Sequence, residues 1–198
     1  GQYFVRLPLT ASATIVNDNA LEVAWESVVG KDELDYILGN PPFIGSKYQS
    51  AEQRLDMGRI AKGVRNAGIL DYVSAWYVLA ARYIQDTDIE VAFVSTNSIT
   101  QGEQVGVLWP YLMDTYGVII NFGHRTFQWS SEARGKAAVH CVIVGFGLSD
   151  RRTKRIFEYD TPRSEPHEIR ATNINPYLAG GPSVALPNRS TPICDVPR

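Results

Sequence analysis

The chain has 198 residues, 44% of them apolar, and a formal net charge of −2. That length supports one substantial core with room for a small appendage, and the near-neutral charge leaves no global nucleic-acid signature, so any basic surface must be local. Cys141 and Cys194 make no disulfide framework and lack metal-ligand spacing. No apolar run reaches transmembrane length, and no basic-then-apolar leader opens the chain, so a reducing cytoplasm is the expected setting. The sequon Asn188-Arg189-Ser190 then reads as chance. The chain opens at Gly1 rather than at Met, in an extended segment over 3–9, and reads as a piece of something longer.

In chain order, the apolar run 34–38 contains a short strand, 35–38, ended by Gly39, of the kind buried in parallel sheets. Ser50 and Gln53 stand at capping-box spacing, predicting a helix over 51–62. Gly63 and Gly68 break that pattern. Asp71 is placed as the N-cap of a second helix, with Val73, Trp76, Tyr77, Ala80 and Ile84 as its apolar stripe. A buried strand follows at 90–95. Thr100 and Glu103 repeat the capping-box spacing before a helix carrying Val107, Leu108, Tyr111 and Leu112. Strands at 118–122 and 139–146 come next. Strand and helix in alternation predict a doubly wound α/β sheet with right-handed crossovers. The last two strands have no helix between them and should close the sheet as an antiparallel pair. Beyond about residue 150 a charged stretch (Arg151, Arg152, Lys154, Arg155) gives way to closely spaced prolines. That stretch predicts one edge strand and then an extended connector.

The chemistry concentrates in Asn40-Pro41-Pro42-Phe43, at the end of the first strand. Two consecutive prolines remove two backbone donors and fix φ, so the strand stops in a rigid shape. The Asn40 side-chain oxygen and the Pro41 carbonyl can each accept one N–H, and Phe43 can stack on a ring. Such a group suits a flat substrate with an exocyclic amine. The bland alternative is an ordinary Pro-Pro turn. Position decides against it, because open α/β sheets bind ligands at the C-terminal ends of their strands. An exocyclic amine is a poor nucleophile while its lone pair is delocalised. Accepting both hydrogens frees that pair for attack on an electrophile without a strong base.

The tetrapeptide resembles motif IV of the amino-methyltransferases, which modify adenine N6, cytosine N4 or a glutamine amide. The similarity extends to Asn19-Ala20-Leu21 with Trp25, to Ile44-Gly45 with Gln49-Ser50-Ala51-Glu52-Gln53, and to Gly68-Ile69-Leu70-Asp71-Tyr72-Val73. It continues through 95–104, His124-Arg125-Thr126-Phe127 and 135–143. Together these blocks resemble the Type IIL, MmeI-like restriction–modification group of N6-adenine DNA methyltransferases. Asn173-Ile174-Asn175-Pro176-Tyr177-Leu178 is similar to that group's connector into a target-recognition domain.

The resemblance implies the later strands of a Rossmann-like class I S-adenosylmethionine-dependent methyltransferase sheet with an antiparallel closing strand. It implies residues 1–150 as the C-terminal half of a catalytic domain, and 151–198 as an edge strand and Pro-rich connector. It places Asn40, Pro41, Pro42 and Phe43 at the catalytic positions and Asn19, Ala20 and Leu21 near the methyl donor. Ala24 stands where an acid is expected. Phe127 or Trp129 would be a second aromatic against the flipped base, from the loop between the last two strands, or else core. Double-stranded DNA is the implied partner, in a prokaryotic cytoplasm, with no metal needed for transfer. The family's glycine-rich donor loop lies upstream of these blocks. Gly145-Phe146-Gly147 follows the final strand and opens no helix, so it does not replace that loop. The 198 residues alone are therefore expected to bind S-adenosylmethionine weakly and to transfer nothing. A protein glutamine or an RNA adenine is the alternative substrate, and a non-catalytic remnant the alternative class.

Other residues have two readings. Arg125 fits a DNA phosphate or an ion pair. Lys47, Arg54, Arg59, Lys62 and Arg65 outnumber Glu52 and Asp56, which fits a DNA backbone or a solvated helix face. His140 and Cys141, inside an apolar strand, read as core rather than ligands.

Overall fold

The aromatic ring of Tyr77 organises the centre of the molecule. It stacks on Phe146 (centroids 5.5 Å apart), meets Phe93 and Trp109 edge-on at 5.2 and 5.8 Å, and shares a 2.8 Å hydrogen bond with Ser95. These contacts join two helices to two strands in a computed structural model that describes residues 13–129, 139–162 and 164–186. The expected segment 3–9, the sequon, Cys194, Gly135-Lys136-Ala137-Ala138 and Pro187, Pro192 and Pro197 lie outside the described residues.

The strands are β1 (Tyr36–Gly39), β2 (Glu90–Thr96), β3 (Ile119–Trp129), β4 (Val139–Gly147), β5 (Lys154–Glu158) and β6 (His167–Ala171). The helices are α1 (Ala51–Ile60), α2 (Ser74–Tyr83) and α3 (Val105–Tyr116). One sheet runs β1-β2-β4-β3-β5-β6. β1 and β2 are parallel, β4 is antiparallel to both β2 and β3, β5 is parallel to β3, and β6 is antiparallel to β5. The expected antiparallel closing pair is present, with β4 inserted between β2 and β3. The ends of β1, β2, β3 and β5 therefore share one edge of the sheet with the beginnings of β4 and β6.

Local signals place α1 well. Ser50 accepts from the Gln53 amide at 3.2 Å, and the Gln53 side chain accepts from the Ser50 amide at 2.9 Å. Both of these otherwise unpaired donors are satisfied within the motif. α3 ends at Gly117, whose φ of 67° suits a residue without Cβ. At Gly145 an added Cβ would lie 2.0 Å from the Phe122 ring, so the bare backbone makes room for that ring.

Several expectations change. β1 is an edge strand of the described sheet, not a buried one, with Tyr36 62% and Leu38 75% exposed. Only Ile37 and Gly39 face the helices, in register with Val91 and Phe93. Asp71 does not cap α2, which begins at Ser74 without a side-chain cap. Thr100 and Glu103 form no capping box: Gly102 takes φ 66°, Thr100 donates to the Asn97 carbonyl, and α3 starts at Val105. His140 is exposed, while Cys141 is buried as expected. Two strands, rather than one, follow residue 150. The stretch beyond them is packed at first, with Ile174 and Leu178 both buried. Asn175 holds that turn, its side chain accepting from the amides of Tyr177 and Ala179. Among the described residues, no helix is long and apolar enough to cross a membrane.

Candidate functional site

β1 delivers Asn40 to the shared sheet edge, and the prolines then end its pairing. Asn40 and Pro42 are exposed, Pro41 is buried and Phe43 is half-buried. The amide group thus faces outward while the proline behind it is anchored. Beyond Phe43 the chain is gripped from the side. Tyr72 donates its amide to the Ile44 carbonyl at 2.8 Å, the Asp71 carboxylate accepts from the Ser46 amide at 3.0 Å, and Gln49 donates to the Leu70 carbonyl at 3.0 Å. Lys47 is exposed on the 3-10 turn Ser46–Tyr48.

Pro42 forms one wall of a cleft of about 880 Å³ whose other walls include Asn19, Ala20, Asp56, Tyr72 and Trp76. That volume lies in the range of ligand pockets, roughly 300–1,000 Å³. Of the tetrapeptide, Pro42 lines this cleft together with Asn19 and Ala20, whereas Asn40, Pro41 and Phe43 do not. Residues 19–25 fold back on themselves, with the Asn19 side-chain oxygen accepting from the Leu21 amide and the Trp25 indole donating to the Ala20 carbonyl. Leu21 itself is buried, and its carbonyl accepts from Arg59 at 2.9 Å. Asp56 ties the segment to α1: it accepts from Tyr72 at 2.6 Å, Arg59 at 3.0 Å and Asn19 at 3.4 Å. Sequence reasoning left Asp56 and Arg59 as surface charges on α1. Here they fix the wall that carries Asn19.

Burial alone would raise the Asp56 carboxyl, but hydrogen bonds from Tyr72, Arg59 and Asn19 outweigh it and hold the group below its ordinary 3.8. A depressed folded-state value means that this stabilisation is complete above the unfolded value and is lost as pH falls through the folded one. Between about pH 6 and about pH 3 the unmodified protein should therefore lose more stability than an Asp56→Asn variant. Urea unfolding at both pH values checks this; equal losses would show that Asp56 carries no such linkage.

The remaining expected contacts lie elsewhere on the same edge. β2 and β4 separate β1 from β3, a span of roughly 14 Å at normal strand spacing. Arg125 forms an ion pair with Glu158, which favours the second of its two readings. It lines a smaller cavity of about 330 Å³ with Thr100, Gln101 and Tyr159. Phe127 is half-buried and tilts against Tyr159 at 5.5 Å. Phe127 and Trp129 belong to β3 itself, not to the loop after it, and Trp129 pairs with Val139. That loop lies outside the described residues. His124 stacks on Phe157 at 4.3 Å and meets the Tyr159 hydroxyl at 2.7 Å; burial pushes its pKa down. Among the described residues, no cluster of three or more His, Cys, Asp or Glu side chains could hold a metal ion.

The site thus lies on a mixed α/β sheet, with an Asn-Pro-Pro-Phe turn at a strand's C-terminal end beside a ligand-sized cleft. The chain belongs to the MmeI DNA-methyltransferase domain family, whose model matches residues 1–158. It is 42% identical over 195 residues to DNA methyltransferase A of Bacillus subtilis (strain 168), covering 97% of this chain and 21% of that protein. It superposes with a TM-score of 0.90 on the Type IIL restriction–modification enzyme MmeI solved in complex with DNA, at 50% identity, over 99% of this chain and 26% of that one. The chain thus spans about a quarter or less of these two relatives.

Proposed function

We propose that the chain forms part of an S-adenosylmethionine-dependent DNA methyltransferase acting on N6 of a flipped-out adenine. One observation carries the reading: an exposed Asn40 and an anchored Pro41 stand at the end of β1, beside a cleft that Pro42 shares with Asn19 and Ala20. S-adenosylmethionine, when bound, supplies an electrophilic methyl group whose carbon–sulfur bond breaks to leave a neutral thioether. The residues present fit such a group. The cleft is large enough, and Asp18, Glu22 and Glu52 on its walls suit a cationic ligand, Asp56 being already paired with Arg59. Asn19 and Ala20 would lie along the donor side, with Leu21 holding that wall from beneath.

The side-chain oxygen of Asn40 and the carbonyl of Pro41 would accept the two amine hydrogens, turning the nitrogen lone pair toward the methyl group. Phe43 would stack on the purine. The nitrogen gains the new bond to carbon and releases its surplus proton to water. This chain contributes orientation and electrostatic complementarity rather than a general base. Lys47, exposed on the turn that follows the motif, would meet a DNA phosphate. Arg125, Phe127 and Trp129 would meet the duplex farther along the edge, Arg125 by exchanging Glu158 for phosphate. A glutamine amide or an RNA adenine offers the same NH₂; the complex with DNA named for the 50%-identical MmeI structure supports DNA as the substrate. A prokaryotic cytoplasm would be the setting for such a reaction.

Expression of the full coding frame in a host lacking other adenine methylation, followed by sequencing for modified bases, tests the reading. N6-methyladenine at a fixed sequence is expected. Unmodified host DNA from cells containing the folded protein would reject it.

A further inference from the structure

We propose that Asp71 is a positioning residue that sets the 40–43 turn against the end of β2; the role rests on the methyl-transfer reading above. The β1–β2 ladder fixes the backbone only as far as Gly39, opposite Phe93. Beyond it the prolines cannot donate, so some other contact must set where Asn40 and Pro41 stand. Asp71 is suitably placed to supply that contact. It is 8% exposed, and its two oxygens face different neighbours. Oδ1 accepts from the Ser46 amide at 3.0 Å, on the chain leaving the motif. Oδ2 accepts from the Ser98 hydroxyl at 2.6 Å, just past the end of β2. The Thr96 hydroxyl, on the last residue of β2 and 3.4 Å from Oδ2, donates to the Ser98 oxygen at 2.8 Å.

Asp71 is held in turn. Its amide donates to the Gln104 side chain at 3.0 Å, and the neighbouring Tyr72 amide holds the Ile44 carbonyl. A buried carboxylate with donors on both oxygens makes short, directional, charge-assisted bonds, and this one spans two adjacent strand ends. An added Cβ at Gly45 would meet the Tyr48 ring at 3.4 Å and Asp71 Oδ1 at 3.7 Å, so the loop already lies against the carboxylate.

The test uses the protein expressed from its full coding frame, with Asp71→Ala, Asp71→Asn and Ser98→Ala variants. Measured are kcat, KM for duplex DNA and for the donor, the thermal midpoint, and amide exchange at Ser46. A turn displaced by a fraction of an ångström costs geometry in the transition state more than affinity. Asp71→Ala should lower kcat about 10- to 100-fold with both KM values nearly unchanged. Asp71→Asn, which keeps an acceptor for the Ser46 amide, should recover most of that loss, and Ser98→Ala should lose less than Asp71→Ala. Ser46 exchange should quicken in Asp71→Ala.

Wild-type kcat in folded Asp71→Ala overturns the proposal, as does a loss in Asp71→Asn as large as in Asp71→Ala. Joint collapse of kcat, DNA binding and thermal midpoint would mark a residue that only holds the fold, and would overturn it too. A wild-type protein that methylates no DNA overturns the methyl-transfer reading and this role together. Unchanged Ser46 exchange overturns the clip alone.

Discussion

Replacing Asn40 with Ala in the protein expressed from its full coding frame should lower methyl transfer by roughly 10²–10³-fold or more while leaving duplex binding nearly intact. The side chain is exposed at the end of β1, so its removal opens no cavity and should leave the fold alone. On the proposed mechanism it removes one of two acceptors for the amine hydrogens. The interaction strengthens as the nitrogen develops positive charge, so its loss appears in kcat rather than in affinity. Asn40→Asp keeps an oxygen acceptor near the same place and should retain part of the activity. Single-turnover transfer and DNA titration separate the two effects. An Asn40→Ala protein with unchanged turnover would remove Asn40 from the mechanism.

The largest expected loss of stability is at Tyr77. Truncation to Ala empties the space between Phe93, Trp109 and Phe146 and takes away the partner of the Ser95 hydroxyl, itself fully buried. Aromatic-to-alanine changes in cores cost about 3–5 kcal/mol. The unpaired Ser95 hydroxyl adds to the cost, unless Ser95 turns to a backbone carbonyl. Tyr77→Phe keeps the ring contacts and loses only the hydrogen bond, so it should cost about 1 kcal/mol. Chemical unfolding of the two variants checks the ordering. A Tyr77→Ala protein as stable as Tyr77→Phe would show that this aromatic cluster does not hold the helices to the sheet.

Local chemistry was legible in the sequence and distant partnership was not. The capping box of Ser50 and Gln53 was readable because both its hydrogen bonds close within three residues. The same spacing at Thr100 and Glu103 misled, because Gly102 turns left-handed between them. Asp71 has the residue type and position of a cap, yet its partners Ser46, Thr96 and Ser98 stand 25 to 27 residues away. Arg125 lies 33 residues from Glu158, and no pattern along the chain announces that pair. The apolar run before Gly39 reads as a strand covered on both faces, whereas Tyr36 and Leu38 leave one face open in the described residues, which no pattern along the run announces. The tetrapeptide was identifiable from residue chemistry. Its setting, with Asp56 and Arg59 tied to the segment that carries Asn19 and Asp71 bonded to the chain beyond the motif, required the fold.

The most direct measurement is nucleoside analysis of duplex DNA incubated with the full protein and methyl-labelled S-adenosylmethionine. The label should be recovered in N6-methyladenine with the unmodified protein and should be absent with Asn40→Ala. Recovery on a ring carbon such as that of 5-methylcytosine, or undiminished labelling with Asn40→Ala, would contradict an amine held by Asn40 and Pro41.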